Sequence, residues 1–378
     1  MSSAERAASV RRPPPPVPVV VLTGFLGAGK TTLLNELLHS GRFANTVVLI
    51  NEFGEIGLDH LLIERVDGDM LLLASGCLCC TIRGDLVNAL EGLLRRLDNG
   101  RIAFFDRVVI ETTGLADPVP ILQTILGHPY LSLRFRLDRV VTVVDAVNGH
   151  ATLARHREAV RQVALADRLV VTKADLPEAQ TEKLRAELRD LNTHAPIVVR
   201  VRESDAGGDL LLDDTGIGLG LAGLPHDHAS ALHDHDHHHE HGAHAHDRNR
   251  HSEAIRAFTL VREAPLTATQ LSIFVELLRH SHGPKLLRLK ALVAMADDPE
   301  RPLLLQAVQH ILHPPVRLDR WPDADQRTRI VLIGDGLDEA SVARLFGAVC
   351  GDVAPDQPDL SAMTANPLAG PPAGGLLG

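Results

Sequence analysis

Near the amino end, Gly24-Phe25-Leu26-Gly27-Ala28-Gly29-Lys30-Thr31-Thr32 has the residue types and spacing to hold the phosphates of a nucleotide. Gly24 and Gly29 permit a tight backbone. That backbone turns the N–H groups of Gly27, Ala28, Gly29, Lys30, Thr31 and Thr32 toward phosphate oxygens, and the following helix adds the positive end of its dipole. Lys30 is placed to reach the β- and γ-phosphates, and the Thr31 hydroxyl to ligate a Mg²⁺ that bridges them. Lys30 is therefore a candidate catalytic residue as well as a binding one. The bland alternative is a glycine-rich turn between a core strand and a helix.

Further along, three more short motifs follow apolar runs. Asn51-Glu52-Phe53-Gly54-Glu55 follows Val47 to Ile50, and Glu111-Thr112-Thr113-Gly114 follows Val108 to Ile110. An acid at the end of a buried strand can hold a Mg²⁺-bound water, which makes Glu111 a candidate catalytic group, and the Gly114 N–H can meet a γ-phosphate. Thr172-Lys173-Ala174-Asp175 follows Leu169 to Val171. The Asp175 carboxylate can accept both N1–H and N2–H₂ of guanine, a pair that adenine lacks, while Lys173 lays its aliphatic stem along the base. The competing reading makes Asp175 an N-cap for a helix that starts at Leu176-Pro177. Glu52, Glu55 and Asp59 are further candidates to position water or metal, and composition does not rank them.

Two segments could bind soft or borderline metals. Three of the four cysteines lie in Cys77-Leu78-Cys79-Cys80. Three thiols this close can ligate Zn²⁺ or Co²⁺, with a fourth position left for another donor. C-x-x-C redox exchange and simple burial remain alternatives. Eleven of the 21 histidines fall between His226 and His251, alternating with Asp and Ala, which suggests a low-specificity metal reservoir or else a solvated linker. His280 and His282, beside Gly283-Pro284, read more readily as helix C-terminal residues facing the dipole than as ligands.

The elements that must position these groups follow from patterning. Val19 to Leu22, Val47 to Ile50, Val108 to Ile110, Val140 to Val144 and Leu169 to Val171 are continuous apolar runs, as in parallel strands buried on both faces. Helical stretches separate most of them. The expected fold is α/β, a doubly wound, mostly parallel P-loop sheet whose ligand loops sit at the strands' carboxyl ends, with a smaller α+β domain after it. The 378 residues divide into a Pro-rich tail (1–16), a nucleotide domain (17–202), a linker with the histidine tract (203–253), a second domain (254–350) and a carboxyl tail (351–378). In the second domain, Thr267 and Gln270 form a capping box, Ala254 to Val261, Leu303 to Val308 and Arg329 to Ile333 read as strands, and Asp338 to Val349 as a helix. Leu287 to Val293 alternates apolar residues with Arg288 and Lys290, which predicts one wetter face, whose cations either only aid solubility or face a partner or the nucleotide domain.

A net charge of −10 and only 3% aromatic residues argue against nucleic acid and anionic membrane as partners. No apolar stretch approaches the roughly 18 residues of a membrane span. The amino end does not read as a signal peptide, and clustered rather than spaced cysteines suggest a reducing cytoplasm.

Taken together, Thr23 to Thr32, Asn51 to Gly54, Gly76 to Cys80 and Glu111 to Pro118 resemble the CobW/YjiA family of GTP-dependent metal chaperones, and Gln162 to Asp175 resembles that family's approach to its guanine loop. The resemblance is close from Val19 to Leu176 and looser beyond. It implies slow hydrolysis of GTP with Mg²⁺, coupled to binding and release of Zn²⁺ or Co²⁺ at Cys77, Cys79 and Cys80. The expected partners are a client metalloprotein and, as an open alternative, a second copy of the chain. Two departures stand out: Thr172 replaces the usual Asn of the guanine loop, and Ile50 stands where some relatives carry an acid. Two rivals stay open, a P-loop kinase or transferase with structural cysteines and a metal buffer with incidental nucleotide binding.

Overall fold

β1 (Val17–Gly24) is the central strand of the first sheet, because its valines bury both of its faces. Val19 and Val21 belong to one apolar cluster, and Val20 and Leu22 to another on the opposite side. The computed structural model describes residues 15–39, 45–51, 62–66, 70–75, 82–200 and 255–351. β1 pairs in parallel with β5 (Arg107–Glu111) and β6 (Phe135–Asp145). β2 (Thr46–Asn51), β4 (Met70–Ser75), β7 (Arg168–Thr172) and β8 (Ile197–Val199) extend the parallel array, while β3 (Leu62–Val66) runs antiparallel on the edge. The order is β3-β4-β2-β5-β1-β6-β7-β8, with crossovers between sequential strands. Each predicted apolar run is one of these strands, so the doubly wound α/β expectation holds.

α1 (Lys30–His39) covers one face of this sheet through Leu33, Leu34 and Leu37. The other face packs against α2 (Ile82–Asp98), α3 (Val119–Gly127), the short α4 (Leu131–Arg134), α5 (Gly149–Arg155), α6 (Arg157–Ala164) and α7 (Thr181–Leu191). Leu90, Leu94, Leu122, Val160 and Leu188 supply the apolar contacts of these helices. At roughly 1.5–3 kcal/mol for each fully buried large aliphatic side chain, this layer outweighs what helix propensity contributes.

The second sheet is antiparallel, β12 (Ile311–Leu312), β11 (Asp298–Val308), β10 (Leu286–Met295), β14 (Thr328–Asp335) and β9 (Ile255–Arg262) in that order, with β13 (Val316–Arg317) paired to β11. One face carries α8 (Ala268–His282) and α9 (Glu339–Cys350) over Leu271, Phe274, Leu278, Val342 and Phe346. The Thr267–Gln270 capping box forms, and Asp338 caps α9 by accepting from Ser341 N at 2.9 Å. His280 and His282 occupy the last turn of α8, where Nδ1 of His280 lies 2.8 Å from the Glu276 carbonyl oxygen.

The opposite face of this sheet packs on the first domain. Ile255, Leu287, Val331 and Ile333 share one apolar cluster with residues of α3, α6 and α7. Here the expectation of a solvated face on β10 fails: all ten positions are buried, Arg288 and Lys290 included. Both cations pair with Asp167, just ahead of β7. Arg288 Nη2 donates to its Oδ2 at 2.8 Å, Lys290 Nζ to its Oδ1, and the Val140 N–H also donates to Oδ2 at 2.7 Å. Burial pushes the Asp167 carboxyl up, but Arg288 and Lys290 outweigh it and hold the group below the ordinary carboxylate range. Burial likewise pushes Lys290 down to about 8 against the opposing pull of Asp167. The alternation on β10 marks an ion-paired domain contact.

Candidate functional site

Four strands, β1, β5, β6 and β7, end at one edge of the first sheet, and the loops leaving them meet there. Gly24 closes β1 at φ 141°, and a Cβ on it would sit 2.3 Å from the Val143 carbonyl oxygen on β6. Only glycine permits that approach. Residues Phe25 to Gly29 then turn into α1, with Ala28 N donating to Phe25 O at 3.2 Å. Gly27 and Gly29 also take positive φ, Ala28 is buried, and Thr32 lies exposed on the first turn of α1.

Lys30 is 8% exposed, and its Nζ folds back to donate to Phe25 O at 3.2 Å. Burial lowers its pKa, and the nearby Glu111 charge opposes that shift. A buried ammonium that curls around its own loop is suited to an anion held within that loop. Thr31 Oγ1 donates to Glu111 Oε1 at 2.7 Å, bridging α1 and the end of β5. Glu111 is 4% exposed. A hydroxyl and a carboxylate oxygen this close form a hard-oxygen donor set of the kind Mg²⁺ takes.

The loop after Glu111 presses on the phosphate loop. Thr112 N donates to Leu22 O at 2.9 Å and Thr112 Oγ1 to Thr23 Oγ1 at 2.8 Å. A Cβ at Gly114 would lie 2.5 Å from Leu26 N, so any other residue there would force the two loops apart. From behind, Gln162 of α6 donates from Nε2 to the carbonyls of Gly114 at 3.2 Å and Ala116 at 3.0 Å.

At the far end of the site, Thr172 Oγ1 donates to the Ala28 carbonyl at 2.7 Å. The hydroxyl thus ties the loop after β7 to the loop after β1. Lys173 takes the left-handed backbone, φ 57°, and its Nζ donates to Asp145 Oδ2 at 2.6 Å. Burial pushes the Asp145 carboxyl up, but hydrogen bonds from Lys173, Asn148 and the Val147 N–H keep it below its ordinary value. Asp175 is exposed. It caps no helix, since α7 starts only at Thr181 with Gln180 as its N-cap, and that alternative reading is set aside.

The structure therefore brings Gly24, Gly27, Ala28, Gly29, Lys30, Thr31, Glu111, Gly114, Thr172 and Lys173 to one sheet edge. Asp145 and Gln162 belong to the same cluster without having been singled out by sequence. Asp145 ends the apolar run from Val140 to Val144 just as Glu111 ends its own strand, so a signal existed; Gln162 opens the segment that resembles the family's approach to its guanine loop, but nothing local marks its own contacts. Cys77, Cys79, Cys80, Glu52, Glu55, Asp59 and the histidines from His226 to His251 lie outside the described residues. Among the described residues no group of three His, Cys, Asp or Glu could hold a metal ion, and no helix is long and apolar enough to cross a membrane.

The comparisons with known proteins agree with this geometry. Residues 18–199 match the family model described as CobW/HypB/UreG, nucleotide-binding domain, and residues 255–350 match that of the cobalamin synthesis protein cobW C-terminal domain. The zinc chaperone YjiA of Escherichia coli K12 is 35% identical over 335 residues, which span 88% of this chain and 99% of YjiA. The chain belongs to the CobW/YjiA family. A second CobW/YjiA member, the zinc chaperone CobW of Pseudomonas aeruginosa, is 34% identical over 365 residues, 86% of this chain and 90% of that one. The crystal structure of Zn(II)-bound YjiA GTPase from E. coli superposes with a TM-score of 0.63 at 31% identity, covering 88% of this chain and 99% of the other.

Proposed function

We propose that this chain is a GTP-hydrolysing metallochaperone of the cytoplasm that carries a divalent transition metal to a client protein under control of its bound nucleotide. The observation that carries the reading is the Thr31–Glu111 contact at 2.7 Å beside the buried Lys30, in a loop whose Gly24, Gly27 and Gly29 all take positive φ. Lys30 neutralises the β- and γ-phosphates, and the Gly114 N–H meets the γ-phosphate. Thr31 Oγ1 and, through water, Glu111 would hold Mg²⁺, which when bound would offset the charge that builds on the transferred phosphoryl group. Hydrolysis is by water, and the positioning of that water falls to the segment from Asn51 to Gly54 or to the loop after Glu111.

Asp175 selects guanine, Lys173 lies along the base, and Thr172 keeps the base loop in register with the phosphate loop. Cys77, Cys79 and Cys80 carry the cargo ion as thiolates. Zinc is favoured over cobalt by thiolate ligation and by the names of the relatives, two of which are zinc chaperones. The cysteine segment lies between the first two nucleotide loops in sequence, so γ-phosphate contacts that order it would change its affinity for the ion. Its protein partner is the client, with a second copy of this chain as an open alternative, and the acidic, aromatic-poor composition argues against nucleic acid and membrane.

Base selection offers a direct test. Asp175→Asn replaces two acceptors with one acceptor and one donor, which mismatches guanine and matches xanthine. The substituted protein should lose GTP turnover by roughly 10²-fold or more and gain turnover of xanthosine triphosphate. If Asp175→Asn still hydrolyses GTP at the original rate, Asp175 does not read the base.

A further inference from the structure

α6 touches the phosphate loop, the loop after β5 and the second domain. Its N-cap His156 stacks on Phe25 of the phosphate loop, with ring centroids 4.5 Å apart. Gln162 holds the carbonyls of Gly114 and Ala116. One residue earlier, Arg161 Nη1 donates to Asp117 Oδ2 at 2.8 Å, at the end of that same loop. Asp117 in turn accepts from Val119 N at 3.0 Å, which fixes where the loop enters α3.

The same guanidinium also faces the second domain. Arg161 Nη2 lies 3.7 Å from Asp335 Oδ2, at the end of β14, and Arg157, one turn earlier on α6, donates to that oxygen at 2.6 Å. Arg161 thus stands between two carboxylates from two domains, close to one and within ion-pair reach of the other. Its Nε is buried and makes no hydrogen bond among the described residues, so the present arrangement does not use the whole guanidinium. Arg161 and Asp117 are about one-third exposed and Asp335 about one-fifth. Pairs in such a setting are weak and exchange readily.

We infer that Arg161 is a positioning residue for the triphosphate, divided between Asp117 of the γ-phosphate loop and Asp335 of the C-terminal domain, so that the C-terminal domain and the nucleotide bias each other. The inference rests on the nucleotide reading above and adds the route. When Arg161 pairs fully with Asp117 it braces residues 114–117 against the phosphate loop, where only a γ-phosphate gains from it. When Asp335 draws Arg161 away, that brace loosens. Because linkage is reciprocal, a client or ligand that displaces Asp335 changes triphosphate affinity, and the triphosphate changes how firmly β14 is held.

The test is the ratio of dissociation constants for GDP and for a non-hydrolysable GTP analogue with Mg²⁺, measured by calorimetry on the full chain. Asp335→Asn removes the competing charge and should raise the preference for the analogue by roughly two- to five-fold, the range exposed ion pairs are worth. Arg161→Ala removes the brace and should lower it by a similar factor, with Arg161→Lys restoring part. The double variant should behave like Arg161→Ala alone. GDP affinity, which does not use the loop, should stay constant in all four and serves as the control for folding. A ratio that both single variants leave unmoved or shift in the same direction, or a parallel loss of GDP affinity, would overturn the inference while leaving the nucleotide reading intact. Failure of the unsubstituted protein to bind either nucleotide would instead overturn the parent reading, and the inference with it.

Discussion

His194 should make the domain contact sensitive to acid. It precedes β8, its Nε2 lies 3.2 Å from Thr259 Oγ1 of β9, and its Nδ1 is buried with no hydrogen-bond partner among the described residues. It borders a cavity of about 30 Å³ between the two domains, whose other lining includes Asp167, Asn192, Arg288 and Lys290. Burial pushes its pKa from 6.5 down to about 4. The unfolded chain then binds a proton near pH 6.5 that the folded chain refuses until about pH 4, so stability is intact above 6.5 and falls as pH drops toward 4. The full loss is about 3 kcal/mol, and at pH 5 about 2 kcal/mol of it has appeared. Trp321 is the sole tryptophan and is buried in the apolar cluster that both domains share, so its fluorescence reports unfolding of this contact directly. Denaturant titrations at pH 7 and pH 5 on the native chain and on His194→Gln should differ in their pH dependence by about 2 kcal/mol, the native chain losing more. Equal losses in the two proteins would refute the argument, since every other titrating group is common to both.

Two further outcomes follow from buried contacts. Asp167→Ala leaves Arg288 and Lys290 buried beside an absent counter-charge and should cost about 3–5 kcal/mol in the same denaturant assay, with part recovered when Lys290→Met is added. Thr172→Val removes the hydroxyl that donates to Ala28 O at 2.7 Å, and should cost about 1–3 kcal/mol while weakening GTP and GDP binding alike.

The nucleotide edge was legible in the sequence because its signals are local. Val108 to Ile110 is too apolar to be anything but a buried strand, so Glu111 had to emerge at its carboxyl end, and the glycine spacing from Gly24 to Gly29 admits few backbones. For Arg288 and Lys290 a contact with the nucleotide domain was only the lesser of two readings, for the opposite reason. Their counter-ion, Asp167, is more than a hundred residues earlier in the chain, and no window around β10 contains it. The Thr172 hydrogen bond carried no local signal because its acceptor, the Ala28 carbonyl, belongs to a loop far away in sequence. A helix cap stayed open as the lesser reading of Asp175 because Pro177 favours a first turn, yet the chain runs on through turns to Thr181 before α7 begins. Arg161 carries no local signal at all, since what distinguishes it is that a helix brings Asp117 and Asp335 to one guanidinium.

In the proposed function, nucleotide state governs metal affinity at the cysteine motif. Zinc and cobalt affinity should be measured on the full chain with a GTP analogue, with GDP and with no nucleotide, beside a variant carrying Cys77→Ser, Cys79→Ser and Cys80→Ser. The affinity should change with nucleotide, and that change should disappear in the triple variant. Tight binding that ignores the nucleotide and survives loss of the three thiols would contradict it, moving the metal to the histidine tract and making the chain a buffer.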